Sequence, residues 1–128
     1  MRITLLVCAT IAASALVASC QPVALVQGGA SDFVIYHAPD APPSVRAAAA
    51  DLQRYIELAT GARLEVVTEP AEPAIALGAA AGLDLADVPL EGFRIVTRDG
   101  SILIAGPDTA EGEQTPQGGT SNGTRNGV

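Results

Sequence analysis

The chain contains no lysine and no tryptophan, and its 128 residues include only two phenylalanines, two tyrosines, two cysteines and one histidine. All its basic residues are arginine, and the formal net charge is −7. An acidic chain with neither a basic patch nor a stacking platform is expected to have no nucleic-acid partner. One histidine and two thiols are too few for the usual His/Cys centres, so neither a metal nor a cofactor is expected. Long apolar runs are also missing. The longest, residues 3–16, is too short and too rich in Ala and Ser to span a bilayer, which takes about 20 apolar residues.

That run follows Met1-Arg2, a minimal positive start, and fits a secretory signal. It closes on Leu16-Val17-Ala18-Ser19-Cys20, which resembles the bacterial lipobox of branched apolar, small, small and cysteine. The resemblance implies a lipoprotein signal peptide at 1–19, cleavage before Cys20, and lipidation of Cys20, through which the chain is held on a membrane. Several acyl chains give the durable anchoring that a single chain does not. Gln21 is not the Asp associated with inner-membrane retention, so the expected location is the bacterial cell envelope, with the outer membrane favoured. Cys8 leaves with the signal and Cys20 carries lipid. No thiol then remains for a disulfide, a metal or a nucleophile.

Residues 43–61, PSVRAAAADLQRYIELATG, carry the one strong helical pattern. Val45, Ala48, Ala49, Leu52, Ile56 and Ala59 fall on one side at 100° per residue, and charged residues fill the other. Asp40 or Ser44 is positioned to cap its start, Pro42 or Pro43 suits the first turn, and Gly61 suits a left-handed end. Such an apolar face needs a sheet beneath it.

The remaining strong segments read as short strands. Residues 20–31 form a small-residue tether, and 33–37, FVIYH, a β-rich strand. Residues 63–67 alternate, and 74–78, AIALG, are fully apolar. Residues 79–90 show little periodicity and read as an irregular loop. Residues 93–98 and 101–106 flank Asp99-Gly100, a two-residue hairpin signal, because a type I′ turn needs positive φ at both positions. The fold class expected is therefore α+β: a mixed sheet of about five short strands with one main helix packed on it. The accessory domain would span 32–106. Beyond Pro107 there is no Leu, Ile, Phe or Tyr, and 107–128 read as a Gly-rich loop or tail leading to a missing, truncated helix.

Candidate chemistry is sparse. His37 ends a strand and is placed for a base or ligand role, against a plain structural role at a strand end. Asp84 and Asp87 make a carboxylate pair without the ligand density of a calcium loop, and Glu111 and Glu113 read as solvated acids. GGTSNGTRNG at 118–127 lacks the lysine of a phosphate loop. Ser44, Ser101 or Ser121 can each be drawn towards His37, and nothing favours one for a triad. No catalytic residue is assigned. Of the four aromatics, at least three are expected to be buried.

The order of these segments resembles a known module. Ala48-Ala49-x-Asp51-Leu52-Gln53-x-Tyr55-Ile56, Thr60-Gly61, Ile75-Ala76-Leu77-Gly78, Gly92-Phe93, Asp99-Gly100 and the strand after it are similar to the N-terminal domain of bacterial α-glucuronidases. They are also similar to the domain preceding the barrel in family-20 β-N-acetylhexosaminidases. Gly123-Thr124-Arg125-Asn126-Gly127-Val128 looks like that family's G-T-x-x-G-V, which opens a second helix on the sheet. The resemblance implies a non-catalytic accessory domain, a fragment of an envelope-anchored glycoside hydrolase that degrades polysaccharide. Its acid, base and substrate pockets would sit in a following (β/α)₈ barrel, the expected partner, which this chain does not contain. The alternative is a stand-alone surface lipoprotein module for binding or interaction, without enzymatic activity.

Overall fold

The computed structural model describes residues 22–128; the signal peptide expected at 1–19 and the lipidation expected at Cys20 lie outside the described residues. Its elements run β1 (Val34–His37), α1 (Pro43–Thr60), β2 (Val66–Val67), β3 (Ala74–Leu77), a 3-10 turn (Gly78–Ala81), β4 (Arg94–Arg98), β5 (Ser101–Ala105) and α2 (Gly123–Asn126). The five strands form one mixed sheet in the order β2-β1-β3-β5-β4. Four run parallel and the edge strand β4 pairs antiparallel with β5. The class is α+β, with one main helix on a five-stranded mixed sheet.

Alternation along each strand divides the sheet into two unlike faces. Ile35, Ile75, Leu77 and Ile104 point to the α1 side and meet Val45, Ala48, Ala49 and Ile56. Tyr36, Ala76, Leu103 and Ala105 point the other way and are covered in part by Ala81, Leu83 and Leu85. β3 is buried at all four positions. A central parallel strand has no wet face, which is why its sequence reads as an unbroken apolar run. Full burial of a side chain such as Val45 or Ile35 contributes about 1.5–3 kcal/mol.

α1 begins and ends where its sequence says, though it starts by another device. Gly61 closes it at φ 76°, in the left-handed region. Pro42 is the N-cap, with Pro43 in the first turn, and neither Asp40 nor Ser44 supplies a side-chain cap. The N–H groups of Val45 and Arg46 donate to the Pro42 carbonyl, so the first turn is satisfied by backbone alone. Burial along the stripe stops at Ile56, and Ala59 is exposed. The Asp99-Gly100 turn has φ of 49° and 77°, positive at both positions as a type I′ hairpin requires.

Both flanks of the domain hold more structure than their composition suggests. Within the segment read as a tether, Val23, Leu25 and Val26 pack against the main core. In 107–128, Ser121 and Thr124 are buried and Asp108 bridges to Asn122. The segment returns on itself and seats α2 beside α1, where Arg125 donates to Asp51 at 2.9 Å. Hydrogen bonds hold it, with no large apolar side chain buried, so composition alone does not register it.

Candidate functional site

At the carboxyl ends of the parallel strands, the loop after β5, the end of β3 and the start of α2 converge. Gly106 and Gly123 are in backbone contact: a Cβ on Gly106 would lie 2.6 Å from the Gly123 Cα. That approach brings Thr124, which is fully buried, under the end of β5. Its hydroxyl accepts from the Gly106 N–H at 3.0 Å and donates to the Asp108 carboxylate in a short hydrogen bond. The other Asp108 oxygen accepts from the Thr124 N–H at 3.1 Å. Ser121 closes the return by donating to the Pro107 carbonyl at 2.6 Å and accepting from the Glu91 N–H at 3.1 Å.

Burial pushes the Asp108 carboxyl above the ordinary carboxylate range, and Glu91 adds to it, while the bonds from Thr124 pull it back. A raised carboxyl pKa means that the native state holds this proton more tightly than the unfolded chain. Stability therefore falls as pH rises from the ordinary value through the raised one, and is flat above it. Asp87 has the opposite sign. The hydrogen bond from Arg94 holds its carboxyl below the usual range, so its contribution is present at neutral pH and is lost in acid. Asp108→Asn is expected to remove the decline that begins above about pH 4 and to leave the acid limb due to Asp87 in place. Urea unfolding of both proteins across that range checks this; parallel curves would refute it.

The residues singled out in the sequence do not come together. His37 is buried, and its Nδ1 lies 2.8 Å from the Ala38 carbonyl; an acceptor there makes Nδ1 the protonated nitrogen. Ser101 is at the start of β5, where its Oγ accepts from the Ala74 N–H at 3.1 Å. Ser121 is held in the return described above. Ser44 is within α1, and its Oγ is buried without a hydrogen-bond partner among the described residues. Asp84 accepts from the Ala86 N–H at 3.0 Å, while Asp87 takes both oxygens to Arg94 at 2.8 and 2.9 Å. Glu111 lies 3.9 Å from Arg46. Among the described residues, no three His, Cys, Asp or Glu side chains are placed to hold a metal ion. Among them too, no helix is long and apolar enough to cross a membrane.

A second feature lies on the α1 side of the sheet. Tyr55 and Leu58 follow Asp51 at i+4 and i+7, on the flank that the Asp51–Arg125 pair turns towards α2. They are 61% and 70% exposed. On the sheet, Phe93 and Ile95 are 47% and 52% exposed, on the same face as Ile104. The expectation that at least three of the four aromatics are buried is thus corrected: Phe33 is buried, Tyr36 half-buried, and Tyr55 and Phe93 are exposed. α1 lies closest to β1 and β2, and its buried residues share one core with Ile75, Leu77 and Ile104. α2 descends from Gly106 towards this face, with Gly127 against Ile104 and Phe93. Tyr55 and Leu58 on α1 and Phe93 and Ile95 at β4 are thus four large apolar side chains left exposed on the α1 side of the sheet. Their exposure was invisible in the sequence because Tyr55 and Phe93 fit equally well in a core.

No protein-family model, curated protein or solved structure matches this chain.

Proposed function

We propose that this chain is the non-catalytic accessory domain of an envelope-anchored glycoside hydrolase of the α-glucuronidase type. It would be carried on lipid at Cys20, with the outer membrane favoured, and would act in polysaccharide degradation. The observation that supports this is the set of large apolar side chains left exposed on the α1 side of the sheet, Tyr55 and Leu58 on α1 and Phe93 and Ile95 at β4, a surface that the barrel would cover. At the carboxyl edge Asp108, Thr124 and Ser121 spend their polar groups on backbone and on one another, which suits a bracing role.

An aryl α-glucuronide offered to the full chain is expected to show no turnover above buffer. Turnover that His37→Ala abolishes would overturn the proposal. The gene downstream of the Val128 codon is expected to continue into an amphipathic helix and a (β/α)₈ region. The exposed Tyr55 and Phe93 also favour a second reading, a stand-alone lipoprotein module that binds a partner. A stop codon after Val128 together with a stable soluble product would select that reading.

A further inference from the structure

The sheet face opposite α1 is only half covered. The loop 79–90 lies over Ala76, Ala105 and Leu103, and the turn 68–73 lies over the start of β3. Between them is a cleft of about 410 Å³. That is within the roughly 300–1,000 Å³ of ligand pockets. β3 and the 3-10 turn present only Ala74, Ala76 and Ala80 to its floor, beside Leu103 of β5, where larger side chains would fill the space. Tyr36 stands at one side, half-buried, with no hydrogen bond to its hydroxyl among the described residues.

The rim carries both acceptors and donors. Glu72 and Asp99 bring carboxylates, and Arg98 brings a guanidinium with no carboxylate partner among the described residues. Ser101 accepts from the Ala74 N–H, and no acceptor for its own proton is found among the described residues. Two acids against one base make no field of a single strong sign, so neither a phosphate nor a polyamine is selected. An apolar floor of small side chains and Leu103, an aromatic wall and a mixed polar rim instead match a ring with one C–H face and a belt of hydroxyls.

We propose that this cleft binds a neutral pyranose residue of a glycan chain. The ring lies on the alanine floor beside Tyr36, and its hydroxyls donate to Glu72 and Asp99 and accept from Arg98 and Ser101. This goes beyond the docking role, because the cleft is on the sheet face opposite α1 and its exposed apolar side chains. Its failure would leave that reading untouched.

The test is a titration of the ¹⁵N-labelled full chain with xylotetraose and with cellotetraose, with inorganic phosphate and spermidine as charged controls. At least one sugar is expected to shift the amides of Tyr36, Ala74 and Ser101, with a dissociation constant of about 0.1–10 mM. Arg98→Ala changes only an exposed side chain at the hairpin and is expected to weaken binding about tenfold. Ala80→Leu fills the floor and is expected to abolish it. The proposal is overturned if neither sugar shifts these amides at about 50 mM. It also fails if phosphate or spermidine shifts them equally, or if binding survives both substitutions.

Discussion

Gly106→Ala is expected to cost about 3 kcal/mol or more of unfolding free energy, the upper end for overpacking a site that cannot relax. The reason is steric. A Cβ at this position would meet the Gly123 carbonyl carbon at 2.5 Å and its Cα at 2.6 Å, with the Gly92 carbonyl oxygen closer still. All three are backbone, so no side chain can rotate away, and β5 must part from α2. For a domain of this size the midpoint of thermal unfolding should fall by about 12 °C or more. Gly112→Ala is the control. Gly112 has φ of 82° and nothing within 4 Å of its notional Cβ, so only the left-handed backbone is penalised, at about 1 kcal/mol. Equal losses in thermal unfolding of the two variants would show that the Gly106–Gly123 contact is not formed in solution.

Thr124→Val is expected to cost about 2–3 kcal/mol, although it preserves shape and adds apolar character. Thr124 is completely buried. Valine would strand the Gly106 N–H without an acceptor and take the hydroxyl donor from a half-buried Asp108. The bonds that Thr124 makes through its side chain join residues 16 and 18 positions apart, so their loss should release α2 and the whole return from Pro107. Urea unfolding followed by circular dichroism measures the loss. Combining Thr124→Val with Asp108→Asn should be less than additive by about 1 kcal/mol, since both remove one shared hydrogen bond. A loss below about 0.5 kcal/mol, the range of ordinary surface changes, would mean that the return is not part of the cooperative fold.

These two sites account for most of what composition did not disclose. Residues 107–128 have almost no apolar side chains, and hydrophobic patterning is the main signal by which sequence reports order. Their order comes from Ser121, Thr124 and Asp108 satisfying backbone groups, and from glycines that let chains approach. Neither leaves a periodic trace. The same holds for Tyr55 and Phe93: a large aromatic reads as core in sequence, and only the assembled layers show these two left exposed. The candidate chemistry at His37, Asp87 and Ser101 was legible as residue types, but their partners were not. Each partner comes from the fold, as when Arg94 crosses the loop to Asp87.

Sequence by itself determined the local elements. The 3.6-residue period placed α1, Gly61 ended it, the Asp99-Gly100 pair specified the β4–β5 hairpin, and the unbroken apolar run 74–77 marked β3 as a strand. Each of these rests on preferences of a few adjacent residues, which act before any distant contact forms. Tertiary structure alone decided the strand order β2-β1-β3-β5-β4, the seating of the glycine-rich return, and the unequal cover of the two sheet faces. Those depend on which surfaces remain uncovered once α1 has been laid on the sheet, and uncovered area is a property of the assembled layers.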